Sequence, residues 1–227
     1  RDTVNAANPN KHAGMIYASN LCHEIAQNVG FTNLAEEIIN EDGTITTKTN
    51  TGDMVTCNLN SISLGRISDE ELEENIALQI RMLDNVISIN QAPVPESRMT
   101  SDKYRSIGLG TSGYHHYLVN HNIQWESNEH IEAADKLFEN IAYYAIKASM
   151  ELAKEKGAYP AFKGSEWETG EYFTRRGYTS DRWKQLASDV AKYGIRNGYL
   201  MAVAPTGSTS NIANTTAGID PIFKKFF

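Results

Sequence analysis

The stretch from Ser127 to Gly157 constrains this chain more than any other. Ala134, Phe138, Ile141, Ala145, Ala148 and Leu152 recur at helical spacing and make one apolar stripe. Ser127 or Asn128 opens the helix and Gly157 stops it. A helix with one apolar face has to bury it against other elements. A second helix is predicted after Ser68-Asp69-Glu70-Glu71, a capping box, with Leu72, Ile76, Ile80, Leu83 and Ile87 on one face. Pro93 and Pro95 close that region, and Asp181 to about Arg196 reads as a shorter helix. Strand signals fall between the helices: Met15-Ile16-Tyr17, Met54 to Leu64, Tyr104 to Leu109, and Leu200 to Ala204. Residues 37–48 alternate around Asp42-Gly43, which suits a tight hairpin turn. Residues 1–14 and 158–180 read as loops. Strands alternating with helices favour an α/β architecture, which places chemistry on loops at strand ends.

Composition matters mainly for what it excludes. The formal net charge of −7 disfavours a nucleic-acid surface, which should be basic. No apolar run approaches the ~18 residues of a membrane span. Two cysteines cannot build a disulfide framework. The chain begins at Arg1 without Met and stops at Phe226-Phe227, and both ends read as cuts within a longer sequence.

Three segments carry candidate chemistry. In Asn20-Leu21-Cys22-His23-Glu24 an amide, a sulfur and a carboxylate recur at every second residue, on one side of an extended loop. Glu24 there can take a proton while the sulfur does other work. Spacing alone favours a buried structural cysteine instead. Cys57 is the other cysteine; it can pair with Cys22 or with a cysteine elsewhere, and spacing does not decide. Zinc is disfavoured, because neither the cysteines nor His115, His116 and His121 have ligand spacing. Pro205-Thr206-Gly207-Ser208-Thr209 follows a strand signal and precedes a helix start, which suits a phosphate cradle as well as an ordinary turn. It lacks the Gly-Lys-Ser/Thr of a P-loop. Gly108-Leu109-Gly110-Thr111-Ser112-Gly113 matches G-x-G-x-x-G, but no second strand ends at Glu126 or Glu129, so close strand–helix packing is the better reading than dinucleotide binding.

Ser19-Asn20-Leu21-Cys22-His23-Glu24-Ile25 resembles the S-N-L-C-x-E-I pattern of the large (alpha) subunit of class I ribonucleotide reductase. Further segments are similar in the family's order. They are Asp2-Thr3-Val4-Asn5 with Asn8-Pro9, Cys57-Asn58-Leu59-Asn60-Ser61-Ile62, and Arg105-Ser106-Ile107-Gly108-Leu109-Gly110. Gly164-Ser165 with Trp167 and Gly170, Arg196-Asn197, Ala204-Pro205-Thr206-Gly207-Ser208 and Gly218-Ile219-Asp220-Pro221 follow.

The resemblance implies a ten-stranded α/β barrel with a finger loop, residues 1–227 being the later part of the barrel domain, without its N-terminal half and C-terminal tail. It implies radical-based reduction of ribonucleoside diphosphates to deoxyribonucleotides. Cys22 would become the thiyl radical that takes the ribose 3′ hydrogen. Glu24 would take the 3′-OH proton, Asn20 would hydrogen-bond the sugar hydroxyls, and Cys57 would be half of the reducing dithiol. Substrate would lie against Ser19, Asn20, Leu21, Cys22, His23 and Glu24, with its diphosphate on Pro205, Thr206, Gly207, Ser208 and Thr209. No cofactor or metal is implied on the chain itself. The radical would come from a metal-containing small (beta) subunit, and thioredoxin or glutaredoxin would be the reductant. A homodimer of the complete subunit and a cytoplasmic location are implied, with neither nucleic acid nor membrane as partner. The alternatives are an adenosylcobalamin-dependent (class II) reductase, whose members often carry Pro where Leu21 stands, and a non-catalytic piece of the barrel. Gly198 departs from a commoner Ser, a change expected to do no more than loosen a strand start. Gly207 replaces a side chain that some members use near the phosphates, leaving more of that contact to backbone donors.

Overall fold

A computed structural model describes residues 2–224. The end residues Arg1 and Lys225-Phe226-Phe227, which read as cut ends in the sequence, lie outside the described residues. The elements are α1 (Asp2–Ala7), β1 (Asn33–Ile39), β2 (Ile45–Asn50), β3 (Leu59–Ser63), α2 (Leu72–Ile89), α3 (Pro95–Tyr104), β4 (Gly108–Ser112), α4 (Tyr114–Asn120), α5 (Asn128–Lys156), α6 (Glu166–Thr169), α7 (Glu171–Arg175), α8 (Asp181–Tyr193) and α9 (Gly207–Ile212).

The two long helices follow the sequence closely. The Ser127 hydroxyl accepts the His130 N–H, which caps α5, and Gly157 with positive φ ends it. Ile141, Ala145, Ala148 and Leu152 are buried along its stripe. A single 3₁₀ turn over Asp69–Glu71 precedes α2, and Glu71 reaches back to the Ser68 N–H at 2.9 Å. All five predicted apolar positions of α2 are buried. The faces of α2 and α5 meet over β3 and β4 in one core.

β3 and β4 pair in parallel, Leu59 opposite Gly108 through Ser63 opposite Ser112, so the connection through α2 and α3 is a βαβ unit. The G-x-G-x-x-G segment is therefore a strand and not a phosphate-binding turn. Its glycines are there for close approach. A Cβ on Gly108 would lie 2.3 Å from the Leu59 side chain, and one on Gly110 would lie 2.8 Å from Ser61 Oγ and 3.0 Å from the Ala202 carbonyl.

Several elements differ from expectation. Met15–Tyr17 is extended but is not a strand. The Asn5 side chain takes the ladder's place, holding both the N–H and the carbonyl of Ile16 at 2.8 Å. Residues 54–58 are also outside any strand, and Leu200–Ala204 forms only a bridge at Met201. That segment runs beside β4 through Ile107 N–H to Tyr199 O, Leu109 N–H to Leu200 O, and Ala202 N–H to Leu109 O. Residues 158–180 contain α6 and α7; α2 ends before Pro93 as expected, and a further helix, α3, begins at Pro95, because proline fits the first turn of a helix. The hairpin of β1 and β2 turns at Asp42-Gly43 as expected, but both strands are exposed throughout.

The described residues thus form two two-stranded sheets packed with helices. The α/β expectation holds. A closed ten-stranded barrel is not formed among the described residues, since three parallel segments (β3, β4 and 199–202) make at most one arc of one.

Gly198 does more than loosen a strand start. A Cβ there would lie 2.9 Å from the Tyr104 carbonyl and 3.0 Å from the Tyr159 ring. Its own carbonyl accepts from Asn10 Nδ2 and Trp167 Nε1.

Candidate active site

Residues 19–25 form a protruding loop closed by its own polar side chains. The His23 N–H bonds the Asn20 carbonyl at 3.1 Å, making a reverse turn with Leu21 and Cys22 at its centre. His23 holds a left-handed φ of 63°, a conformation unusual for a residue with a side chain. Below the turn, Asn20 Oδ1 accepts the Ile25 N–H at 2.9 Å and Ser19 Oγ donates to the Ile25 carbonyl at 2.7 Å. Leu21 at the tip is 94% exposed. Cys22 is exposed too, against the reading of it as a buried structural cysteine.

The segment before β3 brings Cys57 to this loop. Asn20 Nδ2 donates to Cys57 Sγ at 3.6 Å, and the Cys57 thiol donates to Glu24 Oε1 at 3.9 Å. The other oxygen of Glu24, Oε2, is buried and has no hydrogen-bond partner among the described residues. Burial, and next the negative charge of Glu24, push the Cys57 thiol above its ordinary pKa, with Cys22 adding to the shift. Cys57, exposed like Cys22, is held between an amide and a carboxylate. Both cysteines are free.

Cys22, His23 and Glu24 line a cleft of about 660 Å³. Its opposite wall comes from Leu109, Gly110 and Thr111 of β4 and from Met201, Ala202 and Val203, with Phe138 and Ile141 of α5 and Ile219 closing it. Gly110, one of the two packing glycines of β4, thus lies in the wall of the site. Cys57 and Asn20 line a separate cavity of about 280 Å³, with Ser19, Asp53 and Met54.

The Pro205–Thr209 segment opens α9. Pro205, Gly207, Ser208 and Thr209 are exposed, and nothing lies within 4 Å of a Cβ built on Gly207. Thr206 is buried and its hydroxyl accepts the Gly218 N–H at 2.7 Å, which fixes the loop. Gly207 and Ser210 line a further cleft of about 680 Å³ with Asn211, Thr215, Thr216 and Asp220. The 217–222 segment lies between the two clefts: Ile219 faces the first, Ala217 and Asp220 the second. Arg66 holds the end of α9 by its Ala213 and Asn214 carbonyls, and His116 Nδ1 meets Thr215 Oγ1 at 3.0 Å. Thr215 and Thr216 of this cleft were not among the site residues expected from the sequence.

It also missed Asp84, which is wholly buried. Asp84 accepts from Arg105 Nε at 2.8 Å, Arg196 Nε at 3.2 Å and Lys156 Nζ at 3.3 Å. Arg105 ends α3 in the left-handed region at φ 44°, and Arg196-Asn197 leads into the 199–202 wall of the cleft. Burial lowers the Arg196 pKa, and Asp84 opposes that shift. Among the described residues no group of three His, Cys, Asp or Glu could hold a metal ion, and no helix is long and apolar enough to cross a membrane.

Comparison with known proteins bears on this arrangement. Residues 1–227 match the family described as "Ribonucleotide reductase, barrel domain". The chain is 54% identical over 233 residues to the ribonucleoside-diphosphate reductase subunit alpha of Treponema pallidum (strain Nichols), covering 100% of this chain and 28% of that protein. It is 37% identical over 275 residues to the protein of the same name from Helicobacter pylori (strain J99 / ATCC 700824), covering 99% and 35%, and 35% identical over 237 residues to that of Synechocystis sp., covering 100% and 28%. The chain spans about a third of the length of these relatives. A match along every residue, together with two cysteine segments meeting over one carboxylate, leaves one conclusion: the chain belongs to the ribonucleotide reductase family, within its barrel domain.

Proposed function

We propose that this chain carries the central chemical groups for reduction of ribonucleoside diphosphates to 2′-deoxyribonucleotides, acting within a large subunit. The observation that carries the reading is the meeting of Asn20, Glu24 and Cys57 at the base of the loop that holds Cys22 beside the β4 cleft.

On this reading Cys22, as a thiyl radical, removes the 3′ hydrogen atom of the ribose and becomes a thiol. Glu24 takes the 3′-OH proton; it lines the cleft beside Cys22. Asn20 orients the sugar hydroxyls. The 2′-OH leaves as water with a proton from the thiol pair. Cys57 and a second cysteine from outside this chain give the other hydrogen atom to C2′ and one electron to the oxidised C3′ centre, closing to a disulfide, as Glu24 returns its proton to the 3′ oxygen. Cys22 then returns its hydrogen to C3′, which restores the thiyl. A raised Cys57 pKa suits this order, because the thiol keeps its proton until the leaving group needs it.

The diphosphate is assigned to the exposed backbone and hydroxyls of Gly207, Ser208 and Thr209, with Pro205 and Thr206 shaping the loop, and Ser19, Leu21 and His23 framing the sugar end. The ten-stranded barrel is completed by the rest of the subunit, which the chain's share of its relatives supports. The relatives' name, subunit alpha of a diphosphate reductase, supports a separate small subunit as radical source over adenosylcobalamin, as Leu21 does. Thioredoxin or glutaredoxin would reopen the disulfide, and the complete subunit would pair with a second copy.

Cys57→Ser tests the reading in the intact subunit with its radical source. Cys22 should still take the 3′ hydrogen. Without the dithiol, the substrate radical should lose its base and phosphates instead of becoming product. Release of free base with no deoxynucleotide is the expected result. Normal deoxynucleotide yield from Cys57→Ser would remove Cys57 from the chemistry.

A further inference from the structure

The chain on either side of the loop is polar in sequence, yet its asparagines are not at the surface. Asn8, Asn10 and Asn28 are all 1% exposed or less. The two stems of the loop share one backbone bond, Val29 N–H to Met15 O at 3.0 Å, so no strand ladder holds them. Side-chain amides do that instead. On the entry stem, Asn5 grips both backbone groups of Ile16.

On the exit stem Asn28 is fully engaged. Its Oδ1 accepts from Asn8 Nδ2 at 2.7 Å, and its Nδ2 donates to the Asn10 carbonyl at 2.9 Å and to Tyr104 Oη at 3.3 Å. Its N–H donates to Tyr199 Oη at 3.3 Å. Asn8 Oδ1 in turn accepts from Tyr199 Oη at 3.1 Å and from the Asn10 N–H at 2.9 Å. Asn10 accepts from Tyr159 Oη at 2.6 Å and donates to the Gly198 carbonyl at 2.9 Å.

Tyr104 ends α3, and Gly198-Tyr199 leads directly into the wall at Met201 and Ala202. The network therefore ties the loop stems to the opposite side of the cleft. Buried amides with every group partnered are rigid, because any displacement strands a desolvated donor or acceptor. We propose that Asn5, Asn8, Asn10 and Asn28 are positioning residues, which clamp both stems so that Asn20 and Glu24 stay against Cys57 and Cys22 keeps its place in the cleft. The catalytic consequence rests on the function proposed above; the clamp itself does not.

A purely structural role would lower stability and leave the folded site unchanged. A positioning role changes the surroundings of Cys57 in molecules that are still folded. The ionisable groups acting on Cys57 are Glu24 and Cys22, and Glu24 raises its pKa. Release of the loop takes away the burial and the Glu24 charge that raise the Cys57 pKa, along with the Asn20 hydrogen bond that lowers it, and the net change is toward thiolate at lower pH.

The test is the pH profile of Cys57 alkylation by iodoacetamide in the intact subunit, followed at the Cys57 peptide by mass spectrometry. Asn28→Ala should move the midpoint to lower pH. At a fixed pH below both midpoints, a midpoint lower by one pH unit means alkylation about tenfold faster. With the radical source present, kcat should fall on the order of 10²-fold for a displacement of about 1 Å, with KM nearly unchanged. Tyr199→Phe, which deletes one hydroxyl of the network, should move both in the same direction by less. Asn40→Ala, in the exposed hairpin turn, should change neither. A folded Asn28→Ala protein with the unmodified profile would overturn the clamp. If Asn28→Ala does not fold, an unmodified profile in Tyr199→Phe overturns it. Wild-type protein that makes no deoxynucleotide would defeat the functional reading while leaving the alkylation test standing.

Discussion

Cys22→Ser is expected to abolish deoxynucleotide formation to the limit of detection, while nucleotide binding and the folded structure persist. The reason is chemical before it is structural. On the proposed mechanism a sulfur radical takes the hydrogen atom from C3′, because S–H and activated C–H bonds are close in strength and the step can run and reverse. An alcohol O–H is far stronger, and no radical of comparable energy forms on serine. The structure adds why the loss should be clean. Cys22 is exposed at the centre of a turn whose bonds come from the Asn20 carbonyl, Asn20 Oδ1 and Ser19 Oγ, none of which involves the sulfur. A hydroxyl of similar shape leaves those bonds intact. The measurement is product yield together with nucleotide affinity in the complete holoenzyme. Residual multiple turnover by Cys22→Ser would show that another group takes the hydrogen.

Asp84→Ala is expected to give the largest loss of stability among single substitutions outside the site, roughly 3–5 kcal/mol, the range for breaking a buried ion pair. Asp84 is fully buried and faces three cations: Arg105, Arg196 and Lys156. Lys156 is partly exposed and can turn to water, but the Arg105 side chain is 7% exposed and cannot. Removal of the carboxylate leaves that guanidinium without its counter-charge, keeping only its bonds to the Asp84 carbonyl and Ser88 Oγ, and leaves the Asn197 amide with the Arg105 carbonyl alone. It also frees the left-handed Arg105 backbone that ends α3. Asp84→Asn keeps the shape but loses the charge, and should cost less. Urea unfolding followed by circular dichroism reads the effect. A loss below about 1 kcal/mol for Asp84→Ala would mean that solvent reaches the arginines after all.

The contrast between these residues shows what was legible in the sequence. Helices α2 and α5 were readable because their signals are local: a cap at Ser68 or Ser127 and a stripe at fixed spacing. The site loop was readable because its amide, sulfur and carboxylate lie within five residues and match a family pattern. Asp84 was invisible because Arg196, one of its partners, lies more than a hundred positions away. The burial of Asn8, Asn10 and Asn28 was invisible for a related reason. Asparagine signals a loop when its amide faces water, and only tertiary structure reveals that Tyr104, Tyr159 and Tyr199 occupy those bonds instead. Pro95 was read as a stop because a proline that ends one helix and one that begins another look alike without their neighbours. The glycines of β4 matched a phosphate motif, although their absence of a side chain serves contact with Leu59, Ser61 and Ala202. Strand assignments failed at Met15–Tyr17 and Leu200–Ala204, where apolar runs are extended but their backbone groups meet side chains or a single neighbour.

Cys22 and Cys57 serve one ribose in different roles on this reading, one as a radical that is restored and the other as a thiol that is consumed. A single turnover without added reductant separates them. The pre-reduced holoenzyme is given substrate, quenched in acid with an alkylating agent, and its cysteines are mapped by mass spectrometry. One disulfide containing Cys57 is predicted for each deoxynucleotide formed, with Cys22 recovered as a thiol. Product formation that leaves Cys57 alkylated, or that places Cys22 in the disulfide, would contradict it.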